Sequence, residues 1–421
     1  MINKLKAFVD TDDKKGLMSN FINLFILQGL NLLLPLVTFS YLVRVIGVEK
    51  FGLISFSLAL ITYFQIVTDY GFNSTATRDI STALDDKEKQ KDIFNEVMST
   101  KLFLLIISFI ILLIVVFTFE IFRKDIFIYL TTFGSALGQA LFPVWFFQGV
   151  QKMKYITILN VITKCIFTIA IFIFIKEQKD YYLVPIFSSL GFIIAGMFSL
   201  YYIKRDFNLK FELKSFKDIL NQLNKGKFIF LSELKISLFT NTNILILGIL
   251  VGNQAVGYFS SAEKLARAIG GIQIPLSNAI FPHFSKEMLI NKKKAIKNIL
   301  NMTTIGSVFF IILISICFIF ATKIILTIYG SEMTSSILLF RILIIIPLAS
   351  FLDTMFGKQI LINLGKDNLY FRVILAATIF NLCINIPVTY FYHEVGTALA
   401  LMMTQVFIVI GMWYFVRKQI K

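Results

Sequence analysis

The chain has 421 residues, of which 57% are hydrophobic and 46 are Phe, and its mean hydropathy of +0.78 excludes an ordinary soluble globular protein. Lys and Arg total 41 against 25 Asp and Glu, a formal charge of +16. Because the basic residues gather between apolar runs, that excess points to cytoplasmic loops facing an anionic leaflet and excludes a nucleic-acid-binding protein.

In chain order, the N-terminal MINKLKAFVDTDDKKGLMSN has no short apolar core followed by a small-residue cleavage site, so it is not expected to be a signal peptide. About twelve spans of roughly 20 apolar residues follow. They lie near 17–43, 51–72, 97–119, 126–148, 155–176, 182–203, 226–251, 256–280, 298–323, 334–361, 369–391 and 395–416. The fold class is therefore an all-α polytopic membrane protein, expected to form two pseudo-symmetric six-helix bundles around a central polar cavity.

The connections set the orientation. Lys4, Lys6, Lys14 and Lys15 precede the first span, Lys87, Lys89 and Lys91 follow the second, and Lys292, Lys293, Lys294 and Lys297 follow the eighth. The alternate connections are poor in basic residues, which predicts cytoplasmic termini. A basic segment separates the halves, giving an N-terminal lobe over 1–203, a cytoplasmic amphipathic linker over 204–225 and a C-terminal lobe over 226–421. The linker's FELKSFKDILNQLNKGKF is expected to form a short helix on the inner surface.

The two halves repeat. VIGVEKFGLISFS (45–57) matches LVGNQAVGYFSSA (250–262), with Gly47, Gly52 and Ser55 falling on Gly252, Gly257 and Ser260 at one common offset. Parallel repeats related by an axis along the membrane normal are the reading this supports.

Polar residues inside apolar runs mark candidate sites, since charge at mid-depth costs about 2.5 to 3.5 kcal/mol per residue on insertion scales. The stretch from Tyr258 to Lys286 reads as one crossing helix, with Ser260, Glu263, Lys264, Arg267 and Gly271 on one face. It is expected to wall a wet, cationic chamber, although Glu263 and Arg267 at i, i+4 could also satisfy each other. In the fifth span Thr157, Asn160, Lys164 and Thr168 form a stripe. In the second, Gln65, Asp69 and Asn73 do the same. The seventh span holds Glu233, Ser237 and Asn241 on one face with Lys235 pointing elsewhere, and the tenth holds Arg341 and Asp353. In the first, Gln28, Asn31, Pro35 and Thr38 share a face. Arg44 reads as an interfacial anchor at an outer helix end, and Lys101 and Arg372 as snorkelling side chains. Pro275, Pro347 and Pro387 are candidate hinges.

Catalytic chemistry is not expected. There is no Walker loop, no GxSxG, no paired acidic transferase motif and no Cys/His ligand cluster. Cys165, Cys317 and Cys383 lie in apolar runs, and His283 and His393 are far apart in the chain, so neither a metal nor another cofactor is expected.

YLVRVIGVEKFGLISFSLALITYFQIVTDYGFNSTATRDIS (41–81), WFFQGVQKMKYITILNVITK (145–164) and GYFSSAEKLARAIGGIQIPLSNAIFPHFSK (257–286) resemble the Wzx-type O-antigen and polysaccharide flippases. These form the polysaccharide-transport branch of the multidrug/oligosaccharidyl-lipid/polysaccharide exporter superfamily. The resemblance implies alternating access between two six-helix bundles in a bacterial cytoplasmic (inner) membrane. It also implies a substrate, an undecaprenyl-diphosphate-linked oligosaccharide moved from the inner to the outer leaflet, and Lys264, Arg267 and Lys164 as the matching cationic positions for the diphosphate. Lys235, Arg44 and Asn160 complete the expected substrate set.

Glu263, Glu233, Asp69 and Asp353 are the candidates for coupling to a proton or sodium ion, and a glycan polymerase is an expected protein partner. Two alternatives stay open. A cation exporter of the same superfamily should show unpaired carboxylates in its chamber. A membrane-embedded glycan polymerase or ligase should carry a large outer loop, and none is present.

Overall fold

The computed structural model describes Asp12 to Ile420, with side-chain surroundings from Leu34 to Gln419 apart from positions 235, 236, 239 and 240. Among the described residues the fold is all helical, with no strand. Eight helices are long and apolar enough to cross a membrane. Two of them, Leu34–Ser81 (48 residues) and Asp367–Gln419 (53 residues), exceed twice the roughly 20 residues one crossing needs.

Each double-length helix is broken where a second crossing was expected to begin. The first helix, α1 (Asp12–Asp69), turns at Gly47, whose φ of 78° is left-handed. The last, Asp367–Ile420, turns at His393 with φ 53°. Pro387 leaves this last helix unbroken, so the turn comes at a different residue from the candidate hinge. The helices between are α2 (Phe72–Ser81), α3 (Lys87–Thr118), α4 (Glu120–Arg123), α5 (Ile126–Leu141), α6 (Val144–Gly149), α7 (Met153–Phe174), α8 (Leu183–Phe207) and α9 (Phe216–Leu250). They continue as α10 (Asn253–Gly270), α11 (Gln273–Ile290), α12 (Lys292–Ile319), α13 (Ala321–Tyr329), α14 (Ser335–Leu343) and α15 (Ile346–Asp353), followed by a π-helical turn, Thr354–Ile362.

Two sequence expectations are corrected here. The stretch from Tyr258 to Lys286 is two helices, because Gly271 and Ile272 form a turn between α10 and α11. Pro275 explains the restart: it falls in the first turn of α11, where its missing N–H has no partner to lose. The amphipathic segment at 216–225 is likewise no separate surface helix. It forms the opening turns of α9, started by a Ser215–Asp218 capping box.

The chain divides into two compact units, Tyr41–Ser260 with Asn385–Glu394, and the residues up to Ser40 with Ser261–Ile384 and Val395–Lys421.

Within the first unit the repeat becomes a contact. A Cβ on Gly52 would lie 1.8 Å from the carbonyl oxygen of Asn253, and a Cβ on Gly257 would lie 2.2 Å from that of Val48. Val48 and Asn253 are equivalent positions of the repeat, as are Gly52 and Gly257, so each copy offers its glycine to the other's backbone, as two faces do about a local two-fold axis. Gly47 and Gly252, also equivalent, both have positive φ. Elsewhere in this unit α5 lies close to α8, with Gly138 facing the Phe192–Ile193 backbone. The Ser189 hydroxyl donates to Thr131 O at 2.6 Å and that of Ser199 to Leu141 O at 3.2 Å. Small residues and hydroxyls of this kind hold helices together where lipid supplies no hydrophobic drive. Phe72, Phe94, Trp145, Phe146 and Phe147 fill the core beneath α2 and α6.

The chain between α8 and α9 is strapped to α3. Backbone N–H groups of Glu212 and Lys214 donate to Asn95 Oδ1 and Ser99 Oγ, each at 3.0 Å. Lys214 Nζ donates to Asp92 at 2.7 Å, and that bond holds its amine above the usual lysine range. Gln222 bonds Glu96 one turn further along α3.

In the second unit α11 packs against α12 and the π-helical turn, and α12 against α13 and α15. Tyr329 donates to Ser261 O at 3.1 Å, and Gln359 of the π turn donates to Ser277 O at 2.9 Å.

Candidate functional site

The charged residues of the expected chamber lie in both units. On α10, Glu263, Lys264 and Arg267 occupy one turn. Arg267 donates from Nε to Glu263 Oε1 at 2.8 Å, and its Nη2 is 2.8 Å from the same oxygen. The pair is asymmetric: the Glu263 side chain is 6% exposed and that of Arg267 39%. Burial leaves the carboxylate to its partner, while the guanidinium keeps unused N–H donors turned outward. Lys264 Nζ lies 3.8 Å from the centre of the Phe39 ring, a close cation–π contact.

Asp353, at the end of α15, is different. Its Oδ1 is buried and has no hydrogen-bond partner among the described residues. Gly357 in the π turn keeps that corner tight, since a Cβ there would meet Tyr370 at 2.6 Å and Asp353 Oδ1 at 3.2 Å. π-helical turns gather at functional positions because they re-aim side chains without ending the helix.

In the first unit Asp69 is the centre of a network. Lys101 Nζ donates to Oδ1 at 2.7 Å, while Gln139 Nε2 at 3.0 Å and Asn73 Nδ2 at 3.1 Å donate to Oδ2. Lys101 is only 1% exposed. The snorkelling expected of it is therefore corrected: its chain turns inward because Asp69 offers a buried counter-charge. Glu233 on α9 lies within electrostatic range of Asp69 yet has no hydrogen bond or ion pair among the described residues. The carboxylates thus separate into two kinds, Asp69 and Glu263 ion-paired, Glu233 and Asp353 without such a partner.

On α7, Asn160 and Lys164 are one turn apart and both half-buried. Arg44 is exposed on α1. The side chains of Lys235, Gln28 and Asn31 lie outside the described residues. Gln65, Asp69 and Asn73 do share an environment, and Gln65 donates to Ser135 Oγ of α5 at 3.1 Å. Among the described residues no three His, Cys, Asp or Glu side chains gather as metal ligands.

The sequence reading missed two contributors, Gln139 beside Asp69 and Tyr370 beside Asp353, and gave Lys101 the wrong role. Gln139 left a legible trace as the sole amide of α5. Lys101 carried a signal as a charge inside an apolar run, but its inward partner is on another helix, and Tyr370 carried none.

Residues 17–288 match the family model described as polysaccharide biosynthesis protein. A protein of Escherichia coli (strain K12) named "Putative O-antigen transporter" is 29% identical over 96% of this chain and 98% of its own length. A Shigella dysenteriae protein of the same name is 28% identical over 93% and 98%. Among solved structures, an inward-facing multidrug resistance MATE family transporter of the MOP superfamily superposes with a TM-score of 0.70 at 15% identity, covering 92% of this chain and 94% of that one. The lipid II flippase MurJ in an inward closed conformation gives 0.67 at 16%, covering 94% and 87%. At such identities these two share the fold alone.

Proposed function

This chain belongs to the polysaccharide biosynthesis protein family, and on that premise we propose that it is a flippase, not an enzyme, for an undecaprenyl-diphosphate-linked oligosaccharide. It moves the glycan from the inner to the outer leaflet of a bacterial cytoplasmic membrane, with both termini cytoplasmic. The nearly full-length match to relatives named as O-antigen transporters is the observation that carries this reading.

The chemistry agrees with it. A diphosphate cannot cross hydrocarbon without replacing its hydration. Arg267, already oriented by Glu263, has free guanidinium N–H groups to offer, and Lys264 adds a second cation on the same turn. Lys164 and Arg44 contribute positive charge from the N-terminal half and Lys235 from the C-terminal half, and Asn160 meets sugar hydroxyls. Alternating access between a lobe at 1–203 and one at 226–421, joined by the linker at 204–225, carries the substrate across. A glycan polymerase receives the product. Of the coupling candidates, Asp353 and Glu233 are favoured for a proton or sodium ion, since Asp69 and Glu263 already have cationic partners.

The test is glycan export in cells lacking their own flippase. The parent chain restores export, and the Arg267→Ala, Lys264→Ala variant at equal membrane level does not. Rescue by both moves the diphosphate site elsewhere. Failure of both across several glycans, with efflux of organic cations, replaces the reading by that of a drug exporter.

A further inference from the structure

Within the second unit, where α11 ends and α12 begins, a cavity of about 620 Å3 is lined by Lys292, Lys293, Lys297, Asn301 and Gln419 with Ile296 and Leu300. No carboxylate lines it, and none of the three lysines makes an ion pair among the described residues. Immediately before it, Leu289 is 89% and Ile290 85% exposed. Apolar side chains that bare, beside three unpaired cations, have no favourable surroundings in water.

We propose that this cavity holds the phosphate headgroup of an anionic phospholipid of the inner leaflet. Lys292, Lys293 and Lys297 bond the phosphate, the amides of Asn301 and Gln419 bond the glycerol-type headgroup, and Leu289 and Ile290 insert beside its acyl chains. The volume suits one headgroup, and basic pockets between helices at the cytoplasmic side are built for this class of ligand. A soluble anion would satisfy the lysines but offer Leu289 and Ile290 no apolar contact, so the phospholipid is the occupant that answers both observations. The proposal is separate from glycan transport and rests only on the inward orientation assigned to this end of the protein.

The experiment uses the purified full chain carrying Arg267→Ala and Lys264→Ala, which removes the proposed diphosphate site of transport, in a neutral detergent, titrated with phosphatidylglycerol, phosphatidylcholine or inorganic diphosphate while thermal unfolding is followed. Phosphatidylglycerol is expected to raise the midpoint, phosphatidylcholine to leave it unchanged, and diphosphate to act far more weakly. In the Lys292→Gln, Lys293→Gln, Lys297→Gln variant the apparent affinity for phosphatidylglycerol falls roughly tenfold or more. The corresponding triple arginine variant keeps it, which separates lost charge from lost fold. Leu289→Ser, Ile290→Ser weakens phosphatidylglycerol and leaves diphosphate unaffected. An unchanged phosphatidylglycerol shift in the glutamine variant, or an equal response to diphosphate and phosphatidylglycerol, overturns the proposal. Labelling of Lys297→Cys in a chain whose native cysteines are alanine tests the orientation by itself. Reaction from outside would overturn both this proposal and the inward topology, whereas failed lipid binding with inward labelling would leave the flippase reading standing.

Discussion

Gly52 and Gly257 each lie against the backbone of the other's repeat, with hypothetical Cβ atoms 1.8 Å and 2.2 Å from the carbonyl oxygens of Asn253 and Val48. Neither helix can withdraw from one contact without disturbing the other, because both contacts join the same two helices. Replacing either glycine by valine is expected to push the helices apart at a cost of about 2 kcal/mol or more. Thermal unfolding in detergent should show a lower midpoint for Gly52→Val and Gly257→Val alike. An unchanged midpoint in both would mean that the crossing is loose.

The buried Lys101–Asp69 pair makes a second prediction. Removing one partner strands a buried charge and costs about 3 to 5 kcal/mol, whereas replacing both by neutral groups can cost much less. Lys101→Met should therefore lower the unfolding midpoint more than Lys101→Met combined with Asp69→Asn. Additive losses across that cycle would show that the two charges are not coupled.

Asp353 should matter to energetics rather than to assembly. A carboxylate with one oxygen buried and unbonded is a group ready to take a proton or a cation. Asp353→Asn is expected to reach the membrane normally, to export glycan about tenfold more slowly, and to lose sensitivity to a protonophore or to sodium replacement. Export that keeps its parent rate and sensitivity would leave Glu233 as the remaining unpaired candidate.

The strap along α3 allows a contrast of magnitudes. Lys214 and Asp92 are both partly exposed, and such surface pairs contribute at most about 1 kcal/mol. Asn95 is fully buried and receives the Glu212 N–H, so its loss leaves a donor unsatisfied at about 1 to 3 kcal/mol. Asn95→Ala should lower the unfolding midpoint clearly and Lys214→Ala hardly at all. The reverse order would show that charge, not the backbone bonds, holds the strap.

By itself the sequence determined the class of the molecule, since apolar run lengths and the placement of lysines follow directly from bilayer thickness and surface charge. It also exposed the repeat, because Gly47, Gly52 and Ser55 recur in order, and it placed Glu263 and Arg267 on one helix face, because i, i+4 spacing is local. Only the tertiary structure decided what those residues do. That Gly52 meets the equivalent of its own neighbour, that Lys101 turns inward to Asp69, and that Asp353 keeps an unpartnered oxygen all depend on which helices lie side by side. Helical periodicity reports the direction of a side chain from its own axis. It carries no information about the neighbouring helix that direction meets, and in a membrane, where every span is apolar, pairing is set by small residues and buried polar groups whose partners are distant in the chain.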